Sequence, residues 1–220
     1  ATGAFLIGGS LIGAIGSMAL LLWLAQKSHH PDGLLLLGIV FNAFAAALIS
    51  FIKVWVSPEK IQQLVFWLIG TVNYPDAEQL MITAFVVLSA LFFLWVQRGR
   101  IHLLALGDDE AQRLGETPHR TRLQTYFACC LMIGFLVPQV GMIGFIGLII
   151  PHLMRLLLGP DFRKLLPASI FAGAFFLVLC DAIVRGAFVW THTELPVGAL
   201  TAILGGPFFA WLLLKQYGQR

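Results

Sequence analysis

An all-α, polytopic membrane protein is the fold class this sequence predicts, and three observations predict it. The 220 residues are 59% hydrophobic and 11% charged, where soluble domains carry about 25% charge; mean hydropathy is +0.87. The apolar residues fall in uncharged blocks long enough to cross about 30 Å of hydrocarbon as helices. Between the blocks, lysine and arginine sort into alternate loops, as repeated crossing requires.

Composition also excludes function classes. A net charge of +3, with the basic residues dispersed, is no nucleic-acid footprint. Cys129, Cys130 and Cys180 lie in apolar blocks and read as buried free thiols. The opening "ATGAFLIGGSLIG" lacks an initiator methionine and the basic start of a signal peptide, and reads as an internal starting point.

Ala4–Leu24 is the first uncharged run. Gly9 and Gly13, four residues apart within it, suit close helix approach. Pro31, Asp32 and Gly33 end the loop before the next run and read as a turn with a helix start. Gly33–Ile52 is the second run, with Asn42 its strongly polar side chain at mid-span. An interhelical hydrogen bond would explain Asn42. "SPEKIQQLVFWLIG" offers Ser57 as an N-cap and Pro58 at the first helical position. Its dozen residues are too few to span and form a short amphipathic helix, interfacial or re-entrant.

Leu80–Gln97 is the third run. Next comes the most charged segment, "LLALGDDEAQRLGETPHR" at 103–120. Asp108, Asp109 and Glu110 sit where acids favour a helix start, and Arg113 lies one turn on. Gly107 and Gly115 bracket about two turns and Pro118 stops any continuation. Taken alone, the segment is either a solvated loop with a turn of helix or a docking helix for a soluble partner.

Leu123–Pro151 is uncharged for 29 residues, too long for one ordinary span. Val137–Gly141, "VPQVG", is the expected turn, with spans at about 123–136 and about 142–158. Gly141, Gly144 and Gly147 suit close packing. Arg155 suits a helix C-terminus, and His152 reads as a packing or hydrogen-bonding residue rather than a ligand. Leu165–Val184 and Leu195–Leu214 are the sixth and seventh runs. Asp181 and Arg185 lie four residues apart on one face and read as an ion pair easing a helix end.

Seven spans sort the loops. Loops 25–33, 98–122, 155–164 and 215–220 hold eleven of the fourteen lysines and arginines; the other set holds Lys53, Lys60 and Arg185. The first set is therefore cytoplasmic, the C-terminus is inside and the N-terminus outside. No phosphate-binding glycine loop, His-Glu-x-x-His, Gly-x-Ser-x-Gly or Cys-x-x-Cys occurs. The six histidines sit in loops or at span ends, and no span carries a string of acids. No metal site or bound cofactor is expected, and energy for uphill transport would come from another chain.

"GFIGLIIPHLMR", "DFRKLLP" and "ELPVGALTAILGGPFF", with "LLLLGIVFNAFAAALIS", "FWLIGTVN" and "LLALGDDEAQRLG" upstream, resemble the FecCD family in the same order over essentially the whole chain. These are type II ABC importer permeases for ferric siderophores, haem and cobalamin. The resemblance implies a single permease domain over 1–220 that matches the last seven of about ten helices, with 98–122 its cytoplasmic coupling loop. It implies a bacterial or archaeal inner membrane and no enzymatic activity in this chain. ATP and magnesium are used by a partner ATPase, a periplasmic or lipoprotein binding protein delivers the cargo, and a second permease subunit completes a homo- or heterodimer. Carried onto this sequence, Ala105, Leu106, Gly107, Asp108, Asp109, Glu110, Ala111, Arg113, Leu114 and Gly115 take the ATPase-coupling position. Arg185 takes the binding-protein position, and Pro31, Asp32, Gly33 and Asn42 the gate and pathway. The competing expectations are a zinc or manganese ABC permease, which calls for converging acids or histidines, a secondary transporter, which calls for intramembrane ionisable groups, and an intramembrane enzyme, which calls for catalytic pairs.

Overall fold

The computed structural model describes residues 2–27, 33–72, 76–191 and 196–217, and these form ten helices and no strand. In chain order they are α1 (Thr2–Lys27), α2 (Gly33–Lys53), α3 (Pro58–Ile69), α4 (Ala77–Val96) and α5 (Arg98–Leu104), then α6 (Asp108–Arg113), α7 (Pro118–Val140), α8 (Ile146–Leu158), α9 (Phe162–Thr191) and α10 (Val197–Tyr217). Among the described residues, α1, α2, α4, α7 and α9 are long and apolar enough to cross a membrane. Every backbone polar group in hydrocarbon needs an internal partner, and a helix provides it.

The centre of the bundle is α7, antiparallel to both α1 and α4. Gly134 admits the Leu11 side chain, whose Cδ2 lies 2.5 Å from where a Cβ would stand. One turn away the Cys130 thiol points at the Ala14 carbonyl, 3.8 Å off. On the α4 side Ala90, Leu94 and Ala128 form a small buried cluster with Ile101 and Met132 against it. The Gln139 amide donates to the buried Thr83 hydroxyl. The close approach to α1 thus comes from Gly134; Gly9 and Gly13 face open space within the described residues, as do Gly144 and Gly147, so of the glycines expected at packing contacts only Gly141 fills that role.

Three helix boundaries differ from the sequence reading. The expected turn at 137–141 is the end of α7, which continues through Pro138 to Val140. The break falls at Gly141, which caps the helix at φ 70°. Residues 141–145 are non-helical and α8 begins only at Ile146. At 13 residues, α8 is about 20 Å long, short of a full crossing. The loop read at 185–194 is mostly helix, since α9 runs 30 residues to Thr191. Pro118 bars any continuation of α6, as expected, and occupies the first turn of α7, where its missing N–H costs nothing.

Three glycines join the ends of α3, α7 and α10. A Cβ at Gly198 would fall on the Ile69 carbonyl oxygen, and one at Gly141 on the Trp67 carbonyl oxygen. One at Gly70 would stand 2.6 Å from the Met142 oxygen. The proximity lets Thr71 N–H donate to the Val140 carbonyl at 2.9 Å and Gly198 N–H to the Gly70 carbonyl at 3.2 Å. This junction lies at the opposite end of α7 from residues 98–122. The charged stretch 98–122 and the strip that follows α3 therefore lie at opposite ends of α7.

Candidate functional site

Residues 97–122 build a compact cap on one end of the bundle. Gln97 ends α4 and opens α5 without an intervening loop. The Arg98 guanidinium lies 4.4 Å from the Trp95 ring centroid and donates to the Trp95 carbonyl at 3.2 Å. A cation over an indole at a span end holds the charge near the interface while its stem stays apolar.

The sequence then dictates α6 closely. Gly107 takes φ 105°, a value that L side chains avoid. Asp108, Asp109 and Glu110 fill the first turn, where negative charge meets the positive end of the helix. At the other end Gly115, φ 82°, donates to the Gln112 carbonyl at 2.9 Å, and Glu116 N–H donates to the Ala111 carbonyl at 2.9 Å. Those two bonds are a Schellman closure. Two glycines thus bracket the helix as expected.

Burial divides residues 105–115 into two faces. Ala111 is fully buried, and Asp108 is half-buried and engaged. The Arg122 guanidinium donates to both Asp108 oxygens, at 2.8 and 2.5 Å. Ala105, Leu106, Gly107, Asp109, Glu110, Arg113, Leu114 and Gly115 are exposed. Glu110 pairs with Arg113 at 3.2 Å across one turn. An outward face of mixed charge, flanked by the exposed Leu106 and Leu114, is chemically suited to a cleft in another protein.

Glu116 was not singled out from the sequence, yet it organises the junction with α7. Its carboxylate accepts from the Thr121 hydroxyl at 2.7 Å and the Thr117 N–H at 3.2 Å. The Arg100 guanidinium stands 3.3 Å away. The Thr121 hydroxyl holds the carboxyl below its ordinary range; burial opposes it, and the Thr117 amide and Arg100 reinforce it. Arg100, Thr121 and Arg122 were equally illegible, because their partners lie 5 to 16 residues away in sequence.

At the other end, Arg185 sits inside α9. Its Nε donates to Asp181 Oδ2 at 2.6 Å, and a second nitrogen reaches the Val72 carbonyl at 2.9 Å. The ion pair expected from the i, i+4 spacing is present, and the same side chain clasps the strip that follows α3. It remains 47% exposed, enough for a further contact. Asn42 lies exposed at the middle of α2 and has no interhelical partner among the described residues. Gly33 opens α2. Pro31 and Asp32 lie outside the described residues. The structure does not bring Asn42 or Arg185 together with 105–115.

The chain matches the model of the FecCD transport family over residues 1–215. It is 33% identical over 213 residues to the hemin transport system permease protein HmuU of Yersinia pestis, covering 96% of this chain and 63% of that protein. It is 34% identical over 209 residues to the vitamin B12 import system permease protein BtuC of Vibrio cholerae, covering 94% of this chain and 62% of that one. It superposes on a solved structure described as an inward-facing ABC transporter of metal-chelate type, with a TM-score of 0.81 and 32% identity, covering 91% of this chain and 64% of that chain. The chain thus spans a little under two thirds of the length of each of these three.

Proposed function

The chain belongs to the FecCD transport family, and from that premise we propose that it supplies the membrane path of an ATP-driven importer. Its cargo is an iron chelate, haem or corrinoid: hemin and vitamin B12 stand in the names of two relatives, and metal chelate in the description of the solved structure. This chain is a single permease domain and performs no chemistry. ATP and magnesium are handled by a separate ATPase, which engages residues 105–115 from the cytoplasm. The path runs between two permease subunits, and a binding protein delivers cargo at the opposite end, in reach of Arg185. Asn42 faces that path: an amide without an interhelical partner among the described residues is costly in hydrocarbon and is satisfied by water or a second subunit. Pro31, Asp32 and Gly33 form the cytoplasmic gate.

The observation that carries this reading is α6 itself. It is anchored inward by Ala111 and Asp108 and presents Asp109, Arg113 and Leu114 outward, within a stretch, 98–122, that holds five of the fourteen lysines and arginines. A short, rigid, exposed helix suits transmission of a partner's movement.

The test is assembly of the transporter with its ATPase and binding protein. Gly115→Pro puts φ near −65° where +82° is needed and removes the closing N–H. Arg113→Glu reverses an exposed charge. Both variants are expected to lose most ATPase co-purification while still inserting. Arg185→Glu is expected to weaken binding-protein capture, more visibly at low salt because exposed charges are screened over about 10 Å at 0.1 M. Full ATPase retention by both loop variants overturns the docking of α6. Capture unaffected at every ionic strength overturns the role of Arg185.

A further inference from the structure

The charged cap holds more than an exposed docking face, and its inward contacts point to a mechanical role for residues outside 105–115. Asp108, the first residue of α6, is held by both terminal guanidinium nitrogens of Arg122 on α7. Glu116, just past α6, accepts from Thr121 on α7 and from Thr117 at its threshold, while Arg100 on α5 reaches it from the other side. The two ends of α6 are therefore tied to adjacent residues, Thr121 and Arg122, on one helix. Between the ties Ala111 is fully buried, and Thr121 is 1% exposed.

We infer that Arg122 and Glu116 are positioning residues that clamp α6 at both ends to the first turns of α7, so that a push on α6 moves α7 as one body. The inference rests on the proposed ATPase docking and adds the route by which force leaves the loop. Two facts favour α7 as the recipient. The flexible alternative, a free hinge at 114–117, is closed by the Schellman bonds and the Glu116 contacts. And α7 is antiparallel to both α1 and α4 and reaches the three-glycine junction through Val140 and Gly141. Displacement of its first turn is thereby delivered to the far end of the bundle. A single tie would let α6 pivot; two ties, one at each end, forbid rotation about either.

The Asp108–Arg122 pair is about half exposed on each side, so its part in global stability is small. Its geometry is bidentate, which fixes direction as well as distance. Loss should therefore show in coupling rather than in folding.

Two measurements test this, the first on the permease and the second on the full transporter. Amide exchange over residues 105–117 is read first, in the permease without its ATPase, for Arg122→Asp, Asp108→Arg and the double swap. Each single variant is expected to speed exchange about tenfold, since local opening is no longer held, and the swap to restore at least half of the protection. Cargo moved per ATP hydrolysed is read second, in vesicles. Arg122→Asp is expected to lower it about threefold or more, and the swap to recover it, as coupling between sites is expressed as a ratio. Unchanged exchange in Arg122→Asp, or a swap no better than the singles, overturns the clamp whether or not an ATPase docks. Restored exchange with an unaltered transport ratio in every variant overturns its role in coupling. Loss of ATPase binding by the unaltered chain would instead strike the docking proposal, leaving the exchange result to decide the clamp.

Discussion

Three groups converge on one carboxylate at Glu116, and they do not weigh equally. Thr121 lies almost wholly inside the protein and donates to the carboxylate at 2.7 Å. A hydrogen bond to an ionised acceptor is stronger than a neutral one. Thr121→Val keeps the shape and removes that donor, and is expected to destabilise the cap by about 1.5 kcal/mol, read as a lowered melting midpoint in detergent. Glu116 also makes the cap sensitive to acid. Its folded carboxyl is held below the ordinary 4.5, chiefly by the Thr121 hydroxyl. The stabilisation is therefore complete above about pH 4.5 and is lost as pH falls through the lower folded value. Proteolysis of 105–117 should accelerate below pH 4.5 in the native chain, and this extra dependence should be absent in Glu116→Gln. None of this was legible from spacing. The Gly107 and Gly115 brackets were legible, because positive φ at a helix end demands glycine locally. The partners of Glu116 were not, because a carboxylate takes whatever donors the neighbouring helix presents.

At the scale of elements, prolines and glycines part company. Pro138, Pro151, Pro167 and Pro207 all lie inside helices, although proline removes a donor and crowds the preceding turn. In hydrocarbon a helix losing one bond is better satisfied than an opened chain losing several. That is why "VPQVG" reads as a turn by soluble-protein rules and folds as the end of α7. The break comes where a close approach forces it, at Gly141 against the Trp67 carbonyl. The junction it belongs to is testable. Gly198→Ala would drive a methyl into the Ile69 carbonyl, and backbone cannot swing aside as a side chain does. A loss of about 3 kcal/mol, the upper range for overpacking, is expected, read as failed insertion or a much lowered midpoint. Gly173→Ala is the control. Its new methyl would meet Ile146 and Ile150 at 3.9 and 4.0 Å, ordinary contact distances, and helix propensity favours it by up to about 1 kcal/mol. Equal tolerance of both changes would refute the junction.

For the whole molecule, lipid is the solvent, and exposed oil is no defect. On α2 the side chains of Leu36, Ile39, Val40, Phe44 and Phe51 are all more than half exposed. In water such a face would demand cover; in hydrocarbon tails it does not. The orientation proposed from charge makes a direct prediction. With Cys129, Cys130 and Cys180 replaced by alanine, Asp109→Cys should react with an impermeant thiol reagent only from the cytoplasmic side. Glu78→Cys, exposed at the start of α4, should react only from the opposite side. Labelling of both from one face would overturn the topology. By itself the sequence determined what bulk transfer and local chemistry control: a helical membrane bundle, the division of its loops by charge, the short α3 and the bracketed α6. Those properties depend on runs of apolar residues and on single glycines, which a linear reading can weigh. Only the tertiary structure decided where α7 ends, that α8 is short, that Gly134 rather than Gly9 admits the neighbouring helix, and that Arg122 and Glu116 hold α6. Each depends on which distant backbone or side chain stands within about 3 Å, the reach of a hydrogen bond, and contact across that distance is set by packing rather than by order in the chain.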